Sequence, residues 1–268
     1  MKRIQLFEFE DFDWFPSTFR STITKIIVVL HKLMGTKEVL GDLLLNIKER
    51  HAFSSIVDMG SGSGGIMPMV ADYLREQLPD SPTNILLTDL HPNTSFVKQF
   101  NEMNGEGLTY SPTSMDATNL KDTPEGLKTM VNSFHHMRPD MARKILSSAQ
   151  KNKQPLLVYE IAENKIPTIV WWLTLPIGLT LVALSAIVFV PFVKPLSWKD
   201  LLFSWLIPIV PITYAWDGQA SLPRMYTFED VNNYLLPQED PTYTWEMATA
   251  KKKDGKDLGY YVLGLPAG

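Results

Sequence analysis

The stretch IVDMGSGSGG, Ile56 to Gly65, decides the reading of this chain. It follows a polar loop and opens onto IMPMVADYLREQL, where apolar residues recur at helical spacing. A strand that ends in glycines and feeds a helix brings backbone N–H groups close to a ligand, because side chains would block the approach. Gly60, Gly62 and Gly65 satisfy the G-x-G-x-x-G dinucleotide spacing, yet Asp58 stands two residues ahead of the first glycine. That acid raises the question of which adenosine-containing cofactor the loop serves.

Outward from this stretch the chain alternates. Strand SIVDM is followed by a helix over 65–78, strand NILLTD, a helix over 93–103 and strand LTYSP. After a polar connection come strand GLKTMVNS, a helix over 139–152 and strand PLLVYEI. Short apolar runs separated by longer helical segments predict βαβ units and a parallel sheet. Two helices precede it, Ser17 to Met34, stopped by Gly35, and Lys37 to Glu49. Near the end, YTFEDVNNYL predicts a helix with Thr227 as N-cap. YTWEMATA and LGYYVLGL then alternate with period two around Asp254-Gly255, predicting an antiparallel hairpin. The fold class expected is α/β, a Rossmann-like, mostly parallel sheet with a reversed C-terminal hairpin.

The chain has 268 residues, enough for one full core, with 45% hydrophobic and 20% charged residues and a formal net charge of -4. No broad basic surface is implied, so nucleic acid is not an expected partner. With no cysteine, disulfides, thiolate nucleophiles and cysteine-ligated metals are excluded, and no metal site is expected. Acidic residues in MKRIQLFEFEDFDWFP argue against a cleaved export signal.

One local exception breaks these averages. No charged residue occurs from Ile166 to Val193, or from Leu201 to Trp216. The first run meets the membrane-span criterion of about 20 apolar residues, and the second falls just short of the usual lower limit of about 17. The chain must leave and return to one domain, so an inserted hydrophobic helical hairpin is expected, with Lys194 and Lys199 at its tip. Pro176, Pro191, Pro195, Pro208 and Pro211 predict breaks in and around it. Trp171, Trp172, Trp198, Trp205 and Trp216 cluster there as interfacial anchors do. Membrane association is therefore expected, with the catalytic domain on the cytoplasmic side; a two-pass anchor and a shallow re-entrant hairpin both remain open. The soluble alternative makes the insertion a lid or a homodimer interface. The segmentation expected is 1–50, N-terminal helices or lid; 51–165, cofactor-binding core; 166–216, hairpin; and 217–268, the remainder of the core.

Two further acids follow successive strands. NAD would place its pyrophosphate over the glycine loop, whereas S-adenosyl-L-methionine (SAM) has no phosphate, and its cationic amino group and sulfonium favour an acid such as Asp58. Asp89 ends the second strand, where a carboxylate accepts both ribose hydroxyls and Leu90 packs on adenine. Asp116 follows the third, placed to accept from the adenine exocyclic amine while the Ala117 N–H meets a ring nitrogen. Each of the later acids alone also suits a helix cap or a turn.

At these residues the chain resembles the class I SAM-dependent methyltransferases. Asp58 with Gly60, Ser61, Gly62 and Gly64 looks like their first motif, Asp89 like the second-strand acid, and Asp116-Ala117 like the third-strand motif. MVNSFHHM is similar to the fourth-strand motif that faces the methyl group, and the terminal hairpin to the reversed last strand of that fold. The likeness covers about residues 40–165 and 217–268. EFEDFDWFP and WDGQASLPRMYTFED also resemble a bacterial subgroup of methyltransferase-domain proteins.

The resemblance implies SAM as cofactor, S-adenosylhomocysteine (SAH) as product and a small-molecule acceptor, which an insertion beside the site makes apolar or lipid-like. His135 and His136 are the candidate bases, because imidazole titrates near neutral pH. Adjacent residues of an extended chain point to opposite sides, so at most one is expected to face the methyl. Asn132 and Ser133 are placed to hold the methionine moiety or substrate. Trp14 and Phe15 suit a lid or packing under the first helix; Arg224 suits an anionic substrate group or a surface salt bridge. Two other functions stay in view: an NAD-dependent oxidoreductase, and a catalytically silent membrane scaffold.

Overall fold

The computed structural model describes residues 1–267. Its elements run, in chain order, through α1 (Ser17–Met34), α2 (Thr36–Arg50), β1 (Ser55–Met59), α3 (Met67–Gln77), β2 (Asn84–Thr88) and α4 (Thr94–Met103). They continue through β3 (Leu108–Tyr110), β4 (Leu127–Val131), α5 (Pro139–Lys151), β5 (Leu156–Glu160) and α6 (Thr168–Phe189). The last are α7 (Trp198–Leu201), α8 (Ile209–Arg224), the short α9 (Phe228–Asp230), β6 (Tyr243–Lys251) and β7 (Asp257–Pro266).

By internal contacts the chain forms two compact units, one from Met1–Met34 with Glu163–Thr227, the other from Gly35–Ala162 with the chain from Phe228 onward. This division does not follow the segmentation read from sequence. Helix α2 goes with the sheet, and 217–227 goes with the apolar hairpin, because α8 runs without interruption to Arg224.

The second unit is built on a seven-stranded sheet in the order β3-β2-β1-β4-β5-β7-β6. Strands β1 to β5 are parallel, β7 is antiparallel to β5, and β6 pairs antiparallel with β7, as expected. Parallel strands covered on both faces read as apolar runs, and all five residues of β5 are buried. Lys128 sits in β4 and is buried, its Nζ reaching back to the carbonyls of Pro124 and Gly126 at the strand's start.

One helix of this unit differs from expectation. Only three residues of YTFEDVNNYL are α-helical; the next turn is wider, with Leu236 N–H donating to Val231 O. Arg143 donates through Nε and Nη2 to Tyr234 O, so a side chain competes for a carbonyl of the wide turn.

In the first unit α6 packs along α8, close enough at Gly178 that a β-carbon there would lie 2.6 Å from Gln219. Helix α1 lies against both, and Phe15, Ile23, Ile26, Ala186, Val190, Val210 and Tyr214 form the shared core. Pro176 does not break α6, which continues through it to Phe189. The second apolar run, in contrast, is not one helix: it bends by 79° between Trp198–Leu206 and Ile209–Arg224, where Pro208 supplies no N–H. The segment Thr168–Phe192 is long and apolar enough to cross a membrane, and only 17% of its most apolar window is buried.

The N-terminal segment runs the length of this hairpin. Lys2 Nζ donates to Asn164 O, and Ile4 N–H to Pro223 O, at the hairpin's base. Arg224, fully buried, pairs with Asp11 at 2.6 Å and Glu8 at 3.2 Å, while Asp217 accepts from the Phe9 and Glu10 N–H groups. At the other end Thr22 and Lys25 donate to Asp200 of α7, at 2.7 and 2.9 Å.

Candidate functional site

The carboxyl end of β1 carries Asp58, 3% exposed. Its register partner is Thr129 of β4, whose hydroxyl donates to Oδ1 at 2.7 Å, and Ser61 donates to Oδ2 at 2.6 Å. Burial pushes this carboxyl up from its usual 3.8 to about 6; the two hydroxyls oppose that rise, and the negative charge of Asp89 adds to it. Asp58 is thus a desolvated acid whose ionised form needs a cation.

The loop after it is shaped by glycine. Gly64, at φ +85, would place a β-carbon 3.2 Å from the Phe100 ring, so a side chain there would strain the backbone and press on that ring. Gly62, at φ +53, would place one in open space, so the side of the loop facing away from its hydrogen bonds is uncovered. Ser61 ties the loop to both strands. Its N–H donates to Thr88 O, and its hydroxyl accepts from Thr88 N while donating to Asp58. The Ser61 hydroxyl is therefore part of the scaffold.

Asp89 follows β2 and bridges two loops, accepting from Gly62 N–H at 3.0 Å and His91 N–H at 2.8 Å. Leu90 beside it is 44% exposed. Beyond β3, Asp116 Oδ1 accepts from the Thr118 N–H and hydroxyl, closing a local turn around Ala117. Ser114 donates to Leu90 O and Met115 to Asp89 O, so the two loops are stitched together. Tyr110, at the end of β3, donates its hydroxyl to Gly62 O.

The loop after β4 lies against the glycine loop, Ser133 being 3.5 Å from where a Gly60 β-carbon would be. Asn132 takes a left-handed conformation, φ +52, and its Oδ1 accepts from Ile161 N–H. Phe134–His136 form a 3-10 turn, not an extended segment. The two imidazoles consequently lie side by side, centroids 4.3 Å apart, which corrects the expectation that they point apart. His135 is buried, and Glu160 at the end of β5 accepts from both its N–H and its Nδ1, each at 2.9 Å.

The sequence reading passed over Glu160, Thr129, Thr88 and Tyr110. Each ends a parallel strand or pairs across one, so the signal lay in strand-end position. Trp14, Phe15 and Arg224 belong to the other unit; there Phe15 packs into the core, Trp14 stacks on Phe12, and Arg224 forms a salt bridge that is buried in place of the surface one expected.

No family model matches the chain, and no curated protein does. Among solved structures it is similar to the methyltransferase domain of bacterial CtHen1, at 8% identity and a TM-score of 0.45, covering 85% of this chain and 98% of that one. It is similar to an enzyme of echinomycin biosynthesis that converts a disulfide bond into a thioacetal group, at 11% identity and a TM-score of 0.44, over 84% and 79% of the two chains. LepI in complex with SAM matches at 10% identity and a TM-score of 0.38, over 80% of this chain but only 43% of LepI. The chain thus spans less than half the length of LepI. The fold itself rests on the order of the seven strands and the reversed direction of β7.

Proposed function

We propose that this chain, which has the class I methyltransferase fold, binds SAM at the carboxyl edge of its sheet and methylates an apolar small molecule at a membrane. The observation that carries the reading is the buried, raised carboxyl of Asp58 beside a glycine loop whose Gly62 faces open space. A phosphate-bearing dinucleotide would be repelled there, whereas an α-ammonium supplies the missing countercharge. Asp89 takes the ribose hydroxyls, Leu90 lies along adenine, and Asp116 with the Ala117 N–H reads the adenine edge. Gly60 and Gly64 let the loop close, Ser61 fixes Asp58, and Asn132 shapes the methionine end.

SAM supplies an electrophilic methyl on a sulfonium. The acceptor's lone pair forms the new bond to carbon, and the carbon–sulfur pair returns to sulfur as SAH. The protein's share is alignment and, for a protonated acceptor, removal of one proton. His135, whose Nδ1 meets Glu160, is the candidate for that proton, and His136 lies against its ring. The apolar α6, long enough to enter a bilayer, supports a membrane-bound enzyme; a lipid-like acceptor and a sheet on the cytoplasmic side belong to the same proposal.

Titration calorimetry with SAH, with NAD as parallel control, tests the cofactor. Micromolar binding of SAH alone sustains the reading. Binding of NAD alone makes the chain an oxidoreductase, and binding of neither leaves a scaffold.

A further inference from the structure

Helix α6 of the hairpin unit presents one long apolar face. Along α6, Ile169, Leu173, Ile177, Leu181, Leu184 and Val188 recur at helical spacing, and each is more than half exposed. This stripe continues into the tip through Phe192, Trp198 and Leu206. The opposite side of the hairpin carries the N-terminal segment, bound from base to tip, where the exposed charges Lys2, Asp11 and Asp13 stand beside exposed Phe7 and Trp14.

We infer that the unit docks on a lipid bilayer from one side, α6 lying in the plane of the membrane, and does not cross it. The inference rests on the membrane part of the proposed function. A hairpin crossing the hydrocarbon would carry the whole N-terminal segment with it, because the ties at Asn164, Pro223, Arg224 and Asp200 hold that segment along the hairpin's full length. Ionised side chains are costly at the bilayer centre, and Lys2 and Asp13 are exposed. Laid flat, the apolar stripe enters the acyl boundary and the charged segment faces water. Trp172 near the start of α6 and Trp198 in the tip are both more than half exposed, amphipathic side chains suited to the headgroup level.

Charge complements this orientation. The tip from Val190 to Leu206 holds Lys194 and Lys199 and a single acid, Asp200, which is 1% exposed and engaged by Lys25. The rim of the stripe is therefore positive and suited to anionic headgroups.

The cysteine-free chain allows a direct test. Full-length single-cysteine variants Lys98→Cys, on α4, and Lys199→Cys, at the tip, are added to preformed phosphatidylcholine–phosphatidylglycerol vesicles and treated with a membrane-impermeant maleimide. One-sided docking leaves both cysteines modified from outside. Protection of Lys199→Cys until detergent opens the vesicles overturns the inference in favour of a crossing hairpin, and so does its protection before and after. In parallel, Leu173→Glu/Ile177→Glu/Leu181→Glu is expected to lower flotation with the vesicles by roughly tenfold or more and to leave SAH binding unchanged. Flotation unchanged by the triple variant overturns the stripe as the docking face. A wild-type protein that does not float and sediments as a defined dimer gives the stripe to a second copy. The calorimetric SAH result stands apart from these outcomes, so failure of the docking and failure of the cofactor reading are distinguishable.

Discussion

Glu160 takes two hydrogen bonds from His135, the backbone N–H at Oε1 and the ring Nδ1 at Oε2, each 2.9 Å long. A single buried carboxylate thus holds both the 3-10 turn and the tautomer of the imbedded ring. Glu160→Gln keeps the volume but offers one carbonyl acceptor in place of two carboxylate oxygens. In the methyltransferase reading, kcat is expected to fall by roughly 100-fold while SAH affinity holds. Steady-state kinetics beside calorimetry check this; loss of both together would mean that Glu160 only holds the fold.

Asp58→Asn is expected to abolish SAH binding, because the amide cannot neutralise a cation. Its effect on stability has the opposite sign. A folded-state pKa of about 6 against 3.8 means that the neutral form is favoured in the fold, so the stabilising contribution is present below about pH 4 and is lost as pH rises through 6. The loss is on the order of 3 kcal/mol. The variant should therefore melt at or above the wild-type temperature at pH 7 and show no such gain at pH 4, by calorimetry at both pH values.

The same group gives a pH dependence of binding. The ligand's α-ammonium requires ionised Asp58, so SAH affinity should fall about tenfold per pH unit below 6. Thr129→Val removes the hydroxyl that donates to Oδ1 of the ionised acid. The midpoint of the affinity profile should then move to higher pH, and an unmoved midpoint would remove Asp58 as the titrating group.

Asp89→Ala is expected to weaken SAH binding by about 2–3 kcal/mol through loss of two charge-assisted contacts. Part of that figure comes from the loop, since Asp89 also holds the Gly62 and His91 N–H groups. Asp89→Asn, which can keep one of these bonds, should show a smaller loss. Equal affinity for wild type and Asp89→Ala would place the ribose elsewhere.

Strand positions were legible wherever burial on both faces makes an apolar run. SIVDM is β1 residue for residue, and the terminal hairpin follows its period-two pattern. Asp58 lies at the end of β1 and Asp89 directly follows β2, whereas Asp116 comes well after β3 has ended at Tyr110. Their partners were not legible. Thr129 meets Asp58 only through the β1–β4 register, and Glu160 meets His135 only because β4 and β5 are neighbours. Local rules also misjudged Pro176, which α6 absorbs, and the histidine pair, which a 3-10 turn gathers on one side. The salt bridge of Arg224 with Asp11 spans the sequence from one end of its unit to the other, beyond any window of periodicity.

The hairpin unit is sewn from two pieces, Met1–Met34 and Glu163–Thr227, and its first piece leaves the ribosome long before the second. At about 5–20 residues per second, the intervening chain takes on the order of ten seconds to synthesise. Throughout that interval α1 lacks α6, α7 and α8, and Phe15, Ile23 and Ile26 have no core to enter. Newly made chains must therefore shelter an amphipathic helix from aggregation until translation reaches Thr227, and pausing before Glu163 would lengthen the exposure.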